Sequence, residues 1–176
     1  MKISLANLDD AREVAELEAW IAAHPASTPF HRPAWIGAVA RGTGQQAMML
    51  VCREGGRIAG VLPLNIIHSP LFGRALVSSG FAVDGGILAD DEEVAEALAQ
   101  ACWLLAEAHS CPTAELRGGV LPQAGWELKR DAYLGFSKTL ENNDVEQLLS
   151  IPRKHRAEVR KGLDNGLTVE VGRSAR

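Results

Sequence analysis

The sequence predicts an α/β (α+β layered) fold in which a mixed central sheet is flanked by helices. Two apolar, β-rich runs at 47–53 and 57–67 are separated by Glu54-Gly55-Gly56, a pattern typical of a β-hairpin. A long helix is predicted at 91–109, with an apolar stripe formed by Val94, Leu98, Ala101, Leu105 and Ala108. The predicted segments follow the order β-α-α-β-β-β-α-β-β-β-α-α-β, and this mixture of strands and intervening helices favours a layered sheet.

The first part of the chain predicts one strand and two helices. Residues 2–5 form a short strand. Asn7 is the predicted cap of the first helix, because Asp9 and Asp10 then lie in the first turn, where negative charge is favourable. That helix ends at His24-Pro25. Pro33 suits the start of a second helix, which runs to Gly42.

The hairpin and the long helix carry further local signals. Pro63 has no N–H to donate to a ladder, so it marks a sheet edge or a bulge. Residues 75–79 predict another strand. Asp90 is the predicted N-cap of the long helix, and Glu93 completes a capping box three residues later.

The last third predicts short elements only. Strands are expected at 114–117, 126–130 and 134–139. Asn143 with Glu146 opens a short helix that runs to Leu149, and Ser150 opens another that ends at Asn165-Gly166. The alternating residues 167–171 predict a final, half-buried strand.

Composition narrows the class of protein. A chain of 176 residues with 47% hydrophobic and 23% charged residues is ordinary for a globular protein, and it can bury a core without a disulfide or metal. The three cysteines have no metal or redox spacing, and an odd number cannot all pair, which favours a reducing compartment. The first ten residues lack the apolar region of a signal peptide, and no apolar run approaches about 18 residues. We expect a cytoplasmic protein with no membrane span and no metal site.

The charge is unevenly distributed along the chain. The formal net charge is −4, yet residues 151–176 contain seven Lys/Arg and only three Asp/Glu. A block of opposite sign at one end indicates an interaction surface or a second structural unit.

Most of that positive charge lies on one predicted helix. At about 100° per residue, Ile151, His155, Val159 and Leu163 fall on one arc. Five cations fall on the opposite side: Arg153, Lys154, Arg156, Arg160 and Lys161. Two interpretations stay open. The cations are either the solvated face of an amphipathic helix, or they bind an anionic partner such as a nucleotide-sugar diphosphate, a tRNA or a membrane headgroup.

Four segments together resemble a known enzyme family. They are Pro29-Phe30-His31-Arg32-Pro33-Ala34-Trp35, Gly60-Val61-Leu62-Pro63-Leu64, the basic run from Ile151 through Gly162, and Asn165-Gly166-Leu167. Along the whole chain they look like the N-terminal half of a FemAB-type aminoacyl/acyltransferase, most of all the branch found with exosortase/PEP-CTERM and exopolysaccharide loci.

The resemblance implies a fold, a division into domains and a set of binding residues. The fold would be that of the GNAT-like acyl-CoA N-acyltransferases. Residues 1–141 would be the N-terminal GNAT-like domain, and residues 142–176 the start of an incomplete second one. Lys154, Arg156, Arg160 and Lys161 would hold substrate phosphates, and the catalytic residues stay unknown. No cofactor is implied, since the acyl donor, aminoacyl-tRNA or acyl-CoA, would be a substrate of the complete enzyme.

Three functions therefore stay open from the sequence. The first is the N-terminal portion of a Fem-type N-acyl/aminoacyltransferase that acts on a cell-envelope or exopolysaccharide precursor and is inactive without its second domain. The second is a non-catalytic GNAT-like module that binds an anionic ligand or a partner chain, including a second copy. The third is a complete small acyltransferase. Arg117-Gly118-Gly119 is not followed by a predicted helix, so the loop that presents N–H groups to the pyrophosphate of CoA is missing, which argues against the third function.

A few other residues are candidates for chemistry. His31 and Arg32 precede a helix start, where an anion can bind, and His31 is either a base or a hydrogen-bonded loop histidine. Trp35 reads as a packing anchor. Asp84-Gly85-Gly86 either lets a ligand approach the backbone, with Asp84 as an acid or base, or is a turn between strands. Cys102 reads as a core residue of the long helix.

Overall fold

The computed structural model describes residues 1–129 and 134–168 of the chain. Its helices and strands are β1 (Lys2–Leu5), α1 (Ala11–Ala23), a 3₁₀ turn (Pro29–His31), α2 (Pro33–Thr43), β2 (Gln46–Glu54), β3 (Arg57–Ser69), β4 (Gly73–Ser78), β5 (Leu88–Ala89), α3 (Glu92–Ala108), β6 (Ala114–Glu115), α4 (Asp144–Leu149) and α5 (Arg153–Asp164).

The chain forms two compact units, Met1–Glu127 and Leu128–Arg176. The first unit contains the sheet, α1, α2 and α3, and the second contains α4 and α5. The predicted assignment of 1–141 and 142–176 to two GNAT-like domains stays a prediction.

The first unit is built on a six-stranded mixed sheet. Its order is β1-β2-β3-β4-β6, with β5 paired to β3. The pairing of β2 with β3 is antiparallel, as the predicted hairpin requires, and β4 pairs with β6 in parallel. This confirms the predicted fold class, a mixed central sheet flanked by helices.

Alternate residues of β2 bury against different helices, because successive side chains of a strand point to opposite faces. Met48 and Leu50 belong to the core cluster that contains Leu98 of α3. Met49 and Val51 belong to the cluster that contains Leu17 of α1, together with Ile36 of α2. The sheet is therefore covered by α3 on one face and by α1 and α2 on the other. Cys102 of α3 is completely buried in the core between that helix and the sheet, which confirms it as a core residue.

Pro63 determines where β4 ends. It lies opposite Met49 on β2, in the stretch of β3 between its pairing with β4 and its pairing with β5. Its carbonyl accepts the N–H of Ser79 at 3.0 Å, so the nitrogen that lacks a proton faces the same side. A further ladder bond to β4 is impossible there, and the chain leaves the sheet after Ser78. The prediction that Pro63 marks a sheet edge or a bulge is wrong as to the edge, because β3 is a central strand with β2 on one side and β4 and β5 on the other.

Two predicted helix caps are wrong by a short distance. Asp10, not Asn7, caps α1 by accepting the N–H of Arg12. Asn7 instead accepts the N–H of Asp9 in a local turn before the helix. Asp91, not Asp90, caps α3 by accepting the N–H of Val94 at 2.9 Å. In each place consecutive acidic or amide side chains can all act as caps, and the register of the following apolar stripe selects one.

The second unit differs more from its prediction. Asn143 caps α4 as predicted, and α5 ends at Asn165 followed by Gly166. However, α5 begins after Pro152, which provides no side-chain cap, and not at Ser150. No strand forms at 126–129 or 134–139 among the described residues, because no neighbouring strand is there to pair with them. Of the predicted strand at 167–171, residues 167–168 are irregular and the rest lie outside the described residues.

Candidate functional site

The segment between β4 and β5 begins with a strained turn. Ser79 and Phe81 have φ angles of 46° and 60°, in the left-handed region that non-glycine residues rarely adopt. Such strain persists only where surrounding contacts hold it. The turn exposes apolar side chains, since Phe81 and Val83 are 61% and 69% exposed. Contacts with the rest of the fold must therefore hold this turn after β4 in its conformation.

A set of buried hydrogen bonds holds that turn in place. Asn65 of β3 is completely buried and accepts the N–H of Gly80 at 2.9 Å. Trp35 Nε1 donates to the Gly80 carbonyl at 3.3 Å, and the Ser79 hydroxyl donates to the Phe30 carbonyl at 2.7 Å. Trp35 also packs edge-on against Phe30, which agrees with its predicted role as an anchor. The Pro29–His31 turn and the strained turn are thus joined.

Two glycine pairs meet further along the same segment. A Cβ on Gly86 would lie 1.8 Å from the carbonyl oxygen of Gly118, and one on Gly118 would lie 2.6 Å from Asp84 Oδ1. The N–H of Gly85 donates to the Arg117 carbonyl at 3.0 Å. Of the two interpretations of Asp84-Gly85-Gly86, this contact supports the turn over the ligand-binding loop. The close approach is between two backbone segments of the chain.

His31 lies inside this cluster. It is 2% exposed, and its Nδ1 accepts the N–H of Thr28 at 3.0 Å. Thr28 in turn donates its hydroxyl to the Asp84 carbonyl at 2.5 Å. His31 Nε2 is buried without a hydrogen-bond partner among the described residues. Burial is the main cause that lowers the pKa of His31, and the backbone of Thr28 and Gly86 opposes that shift. His31 is therefore a neutral, buried histidine near neutral pH.

Arg32 points to a different neighbour. Its Nε donates to Glu18 of α1 at 2.6 Å, while 55% of its side chain stays exposed. The structure thus places the two adjacent candidates apart: His31 faces the strained segment, and Arg32 faces α1. An anion that bound Arg32 would compete with Glu18.

The start of α3 is acidic. Asp91 caps the helix, Glu92 and Glu93 lie in its first turn, and Asp90 precedes them. Negative charge there is favourable to the helix dipole but repels an anionic ligand. Arg117 does not offset it, because its guanidinium pairs with Glu115 at 2.9 Å and donates to the Ala82 carbonyl at 3.3 Å. Residues 120–129 after Arg117-Gly118-Gly119 contain no helix, as predicted.

The four predicted phosphate-binding residues lie in the second unit, on α5. Lys154, Arg160 and Lys161 are exposed, and Arg156 is half-buried because its Nη1 donates to the Leu149 carbonyl at 3.2 Å. Glu158 and Asp164 are the acidic residues of the helix. Their assignment as phosphate ligands stays a prediction. The buried cluster around His31 belongs to the first unit.

Other features of the described residues point to no chemistry. Two surface depressions of about 450 and 460 Å³ in the first unit each include three acidic residues in their lining, and neither includes a predicted site residue. Within 1–129 and 134–168, no three His, Cys, Asp or Glu side chains come together as metal ligands. Over the same residues, helices are too short or too polar to cross a bilayer.

Sequence reasoning missed the buried polar residues Asn65, Ser78 and Ser79. Ser78 and Ser79 are completely buried, and Ser78 accepts the N–H of Arg117 at 2.7 Å. One signal was present, since Asn65 is an amide inside an otherwise apolar strand run. An amide at such a place needs partners, and here the partner is the backbone of the strained turn.

Comparison with known proteins supports the fold. No protein-family model and no curated protein matches the chain. The crystal structure of a probable acetyltransferase is 13% identical, with a TM-score of 0.51, and the match covers 81% of this chain and 100% of that chain. A ribosomal-protein-alanine N-acetyltransferase from Brucella melitensis biovar Abortus 2308 is 21% identical, with a TM-score of 0.46 and coverage of 73% and 99%. A GNAT family acetyltransferase from Staphylococcus aureus subsp. aureus USA300_TCH1516 is 11% identical, with a TM-score of 0.37 and coverage of 81% and 99%. The second and third scores are too low to carry weight. The chain has a GNAT-like fold.

Proposed function

We propose that this chain acts in acyl transfer to an amine, as part of a Fem-type N-acyl/aminoacyltransferase. Its acceptor would be a cell-envelope or exopolysaccharide precursor, and its donor an aminoacyl-tRNA or another acyl ester. The GNAT-like fold supports the acyltransferase class. The Fem assignment rests on the sequence resemblance.

One observation carries the choice of donor. In CoA-dependent GNAT enzymes the pyrophosphate binds at a helix start through backbone N–H groups. Here the start of α3 is Asp90, Asp91, Glu92 and Glu93, and the cations are on α5 of the other unit. Like charge at that place opposes a CoA pyrophosphate. A donor whose phosphates bind Lys154 and Lys161 on α5 fits this distribution of charge better.

The donor is tested by binding measurements on the full chain. We expect no calorimetric signal with acetyl-CoA and salt-dependent binding of an aminoacyl-tRNA. Lys154→Ala with Lys161→Ala should weaken tRNA binding roughly tenfold and flatten its salt dependence. Lys2→Ala with Arg12→Ala removes the same charge from exposed places of the first unit and should leave binding unchanged. Micromolar binding of acetyl-CoA would instead support the complete small acyltransferase.

Activity is proposed to need a second domain, as in the family that the sequence resembles. Most of the large apolar side chains described between Leu128 and Leu149 are exposed, for example Leu134 at 81% and Phe136 at 92%. An apolar surface of this kind is normally covered by another element. Transfer of a labelled aminoacyl group to an amine acceptor should therefore appear only when that domain is supplied.

The alternative is a non-catalytic module that binds an anionic ligand. It is favoured by the state of His31, the titratable side chain buried at the strained segment, because its Nδ1 is occupied and its Nε2 is shielded from solvent. If the chain is such a module, it should bind tRNA or phosphate but show no acyl transfer even when the second domain is present. An enzyme would show that transfer.

A further inference from the structure

Helix α5 has an apolar strip that the described residues leave uncovered. Val159 is 40% exposed and Leu163 is 71% exposed. Neither α4 nor α5 contains a buried residue. At about 100° per residue, this strip is continued on one side by Arg156, Arg160 and Arg153. The helix therefore presents apolar and cationic side chains next to each other.

The start of α5 also has the wrong sign of charge for a helix N-terminus. Arg153, Lys154 and Arg156 lie in or near its first turn, which contains no acidic residue, and Pro152 provides no side-chain cap. Cations there are unfavourable with respect to the helix dipole. An acidic partner at this end would offset that effect.

The outer face of α3 has the complementary character. Glu92, Glu93 and Glu96 lie near its start, and Gln123 donates to Glu92 at 2.8 Å and to Glu96 at 3.0 Å. Trp103 and Leu104 lie two to three turns later on the same arc, and the ring of Trp103 packs edge-on against Trp126. Trp103 and Leu104 are 46% and 64% exposed, which is unusual for large apolar residues of a helix whose other face is buried. Acidic residues followed by apolar ones along α3 match cations followed by Val159 and Leu163 along α5.

We propose that α5 of one copy of the chain docks on the outer face of α3 of a second copy. The helices lie parallel, so that Arg153 meets the glutamates and Val159 and Leu163 meet Trp103 and Leu104. Because each copy carries both surfaces, the proposed assembly is a two-fold dimer with two such contacts. A polyphosphate or nucleic acid would satisfy the cations but leave the apolar strip in water. This surface goes beyond the proposed function: its apolar strip lies opposite Lys154 and Lys161, and only Arg156 and Arg160 of the predicted phosphate-binding residues border it.

A charge exchange between copies tests the proposal. Sedimentation velocity of the full chain should show a concentration-dependent dimer that weakens with salt. Variant one carries Arg153→Glu and Arg160→Glu, and variant two carries Glu93→Arg and Glu96→Arg. Each variant alone faces like charge in both contacts and should dimerise at least roughly tenfold more weakly. An equal mixture of the two restores both contacts, so a heterodimer should reappear.

Two controls keep the result interpretable. Lys154→Glu with Lys161→Glu changes the same charge on the other side of α5 and should leave the dimer unchanged. Thermal melting of each variant monitors folding, and recovery of the heterodimer shows that both variants are folded. The proposal is overturned by a chain that stays monomeric at every concentration, or by dimers indifferent to the exchange. It is also overturned if monomers bind anionic vesicles through Val159 and Leu163.

Discussion

His31 Nδ1 accepts the backbone N–H of Thr28 at 3.0 Å, which fixes the proton of the neutral imidazole on Nε2. That nitrogen is buried beside the backbone of Gly86 without a hydrogen-bond partner among the described residues. The same Thr28 holds Asp84 through its hydroxyl. A single histidine therefore joins the start of α2 to the strained segment after β4, and its charge state affects both.

This arrangement predicts that stability depends on pH through His31. Burial lowers its pKa from 6.5, so the unfolded chain binds the proton more readily than the folded chain. The contribution of His31 to the free energy of unfolding is therefore fully retained above pH 6.5, and it is lost progressively as the pH drops below that value. Denaturant unfolding between pH 5 and 8 measures it. His31→Asn keeps an acceptor for Thr28 but does not titrate, so its curve should be flatter. An unchanged slope in His31→Asn assigns the pH dependence to other groups.

The contact between the two glycine pairs predicts a large effect of one methyl group. Gly86→Ala places a Cβ 1.8 Å from the Gly118 carbonyl, and backbone cannot easily move there. We expect a loss of about 3 kcal/mol or more in the free energy of unfolding. Gly42→Ala is the matched control, since its Cβ meets nothing within 4 Å and it lies in α2, so it should be neutral or stabilising by up to about 1 kcal/mol. Equal effects in both variants would contradict this contact.

The capping of α3 predicts different effects for two adjacent aspartates. Asp91 accepts the N–H of Val94, so Asp91→Ala should cost about 1 kcal/mol of stability. Asp90 Oδ1 lies 3.9 Å from His24 Nε2, and the Asp90 side chain is 54% exposed. Asp90→Ala should therefore change the free energy of unfolding by less than about 0.5 kcal/mol. Thermal unfolding of the two variants under one condition measures the difference. A larger loss in Asp90→Ala would restore the cap that the sequence pattern predicted.

Particular residues show how far the sequence can predict this molecule. The β2–β3 hairpin and α3 follow from local patterns, because glycine and hydrophobic periodicity act over a few residues. The contact of Gly86 with Gly118 joins segments 32 positions apart, and no local pattern encodes it. No strand forms at 126–129 or 134–139 for the same reason, since a strand needs a partner that the sequence does not identify. His31 was found as a candidate, but its burial depends on Thr28, Asp84 and Gly86 meeting in the fold.

The second unit predicts a pattern of amide hydrogen exchange that also tests the proposed dimer. Leu98 and Cys102 of α3 are completely buried, while Val159 and Leu163 of α5 are exposed. In a dilute monomer, the amides of α5 should exchange far faster than those of α3, because little buried apolar contact opposes local opening. At concentrations where the chain associates, protection of α5 should rise while that of Leu98 stays unchanged. The Arg153→Glu, Arg160→Glu variant should lose this dependence on concentration. Protection of Val159 equal to that of Leu98 in a monomer would show that α5 is covered within one chain, and neither a second copy nor a second domain would then be needed to explain its apolar strip.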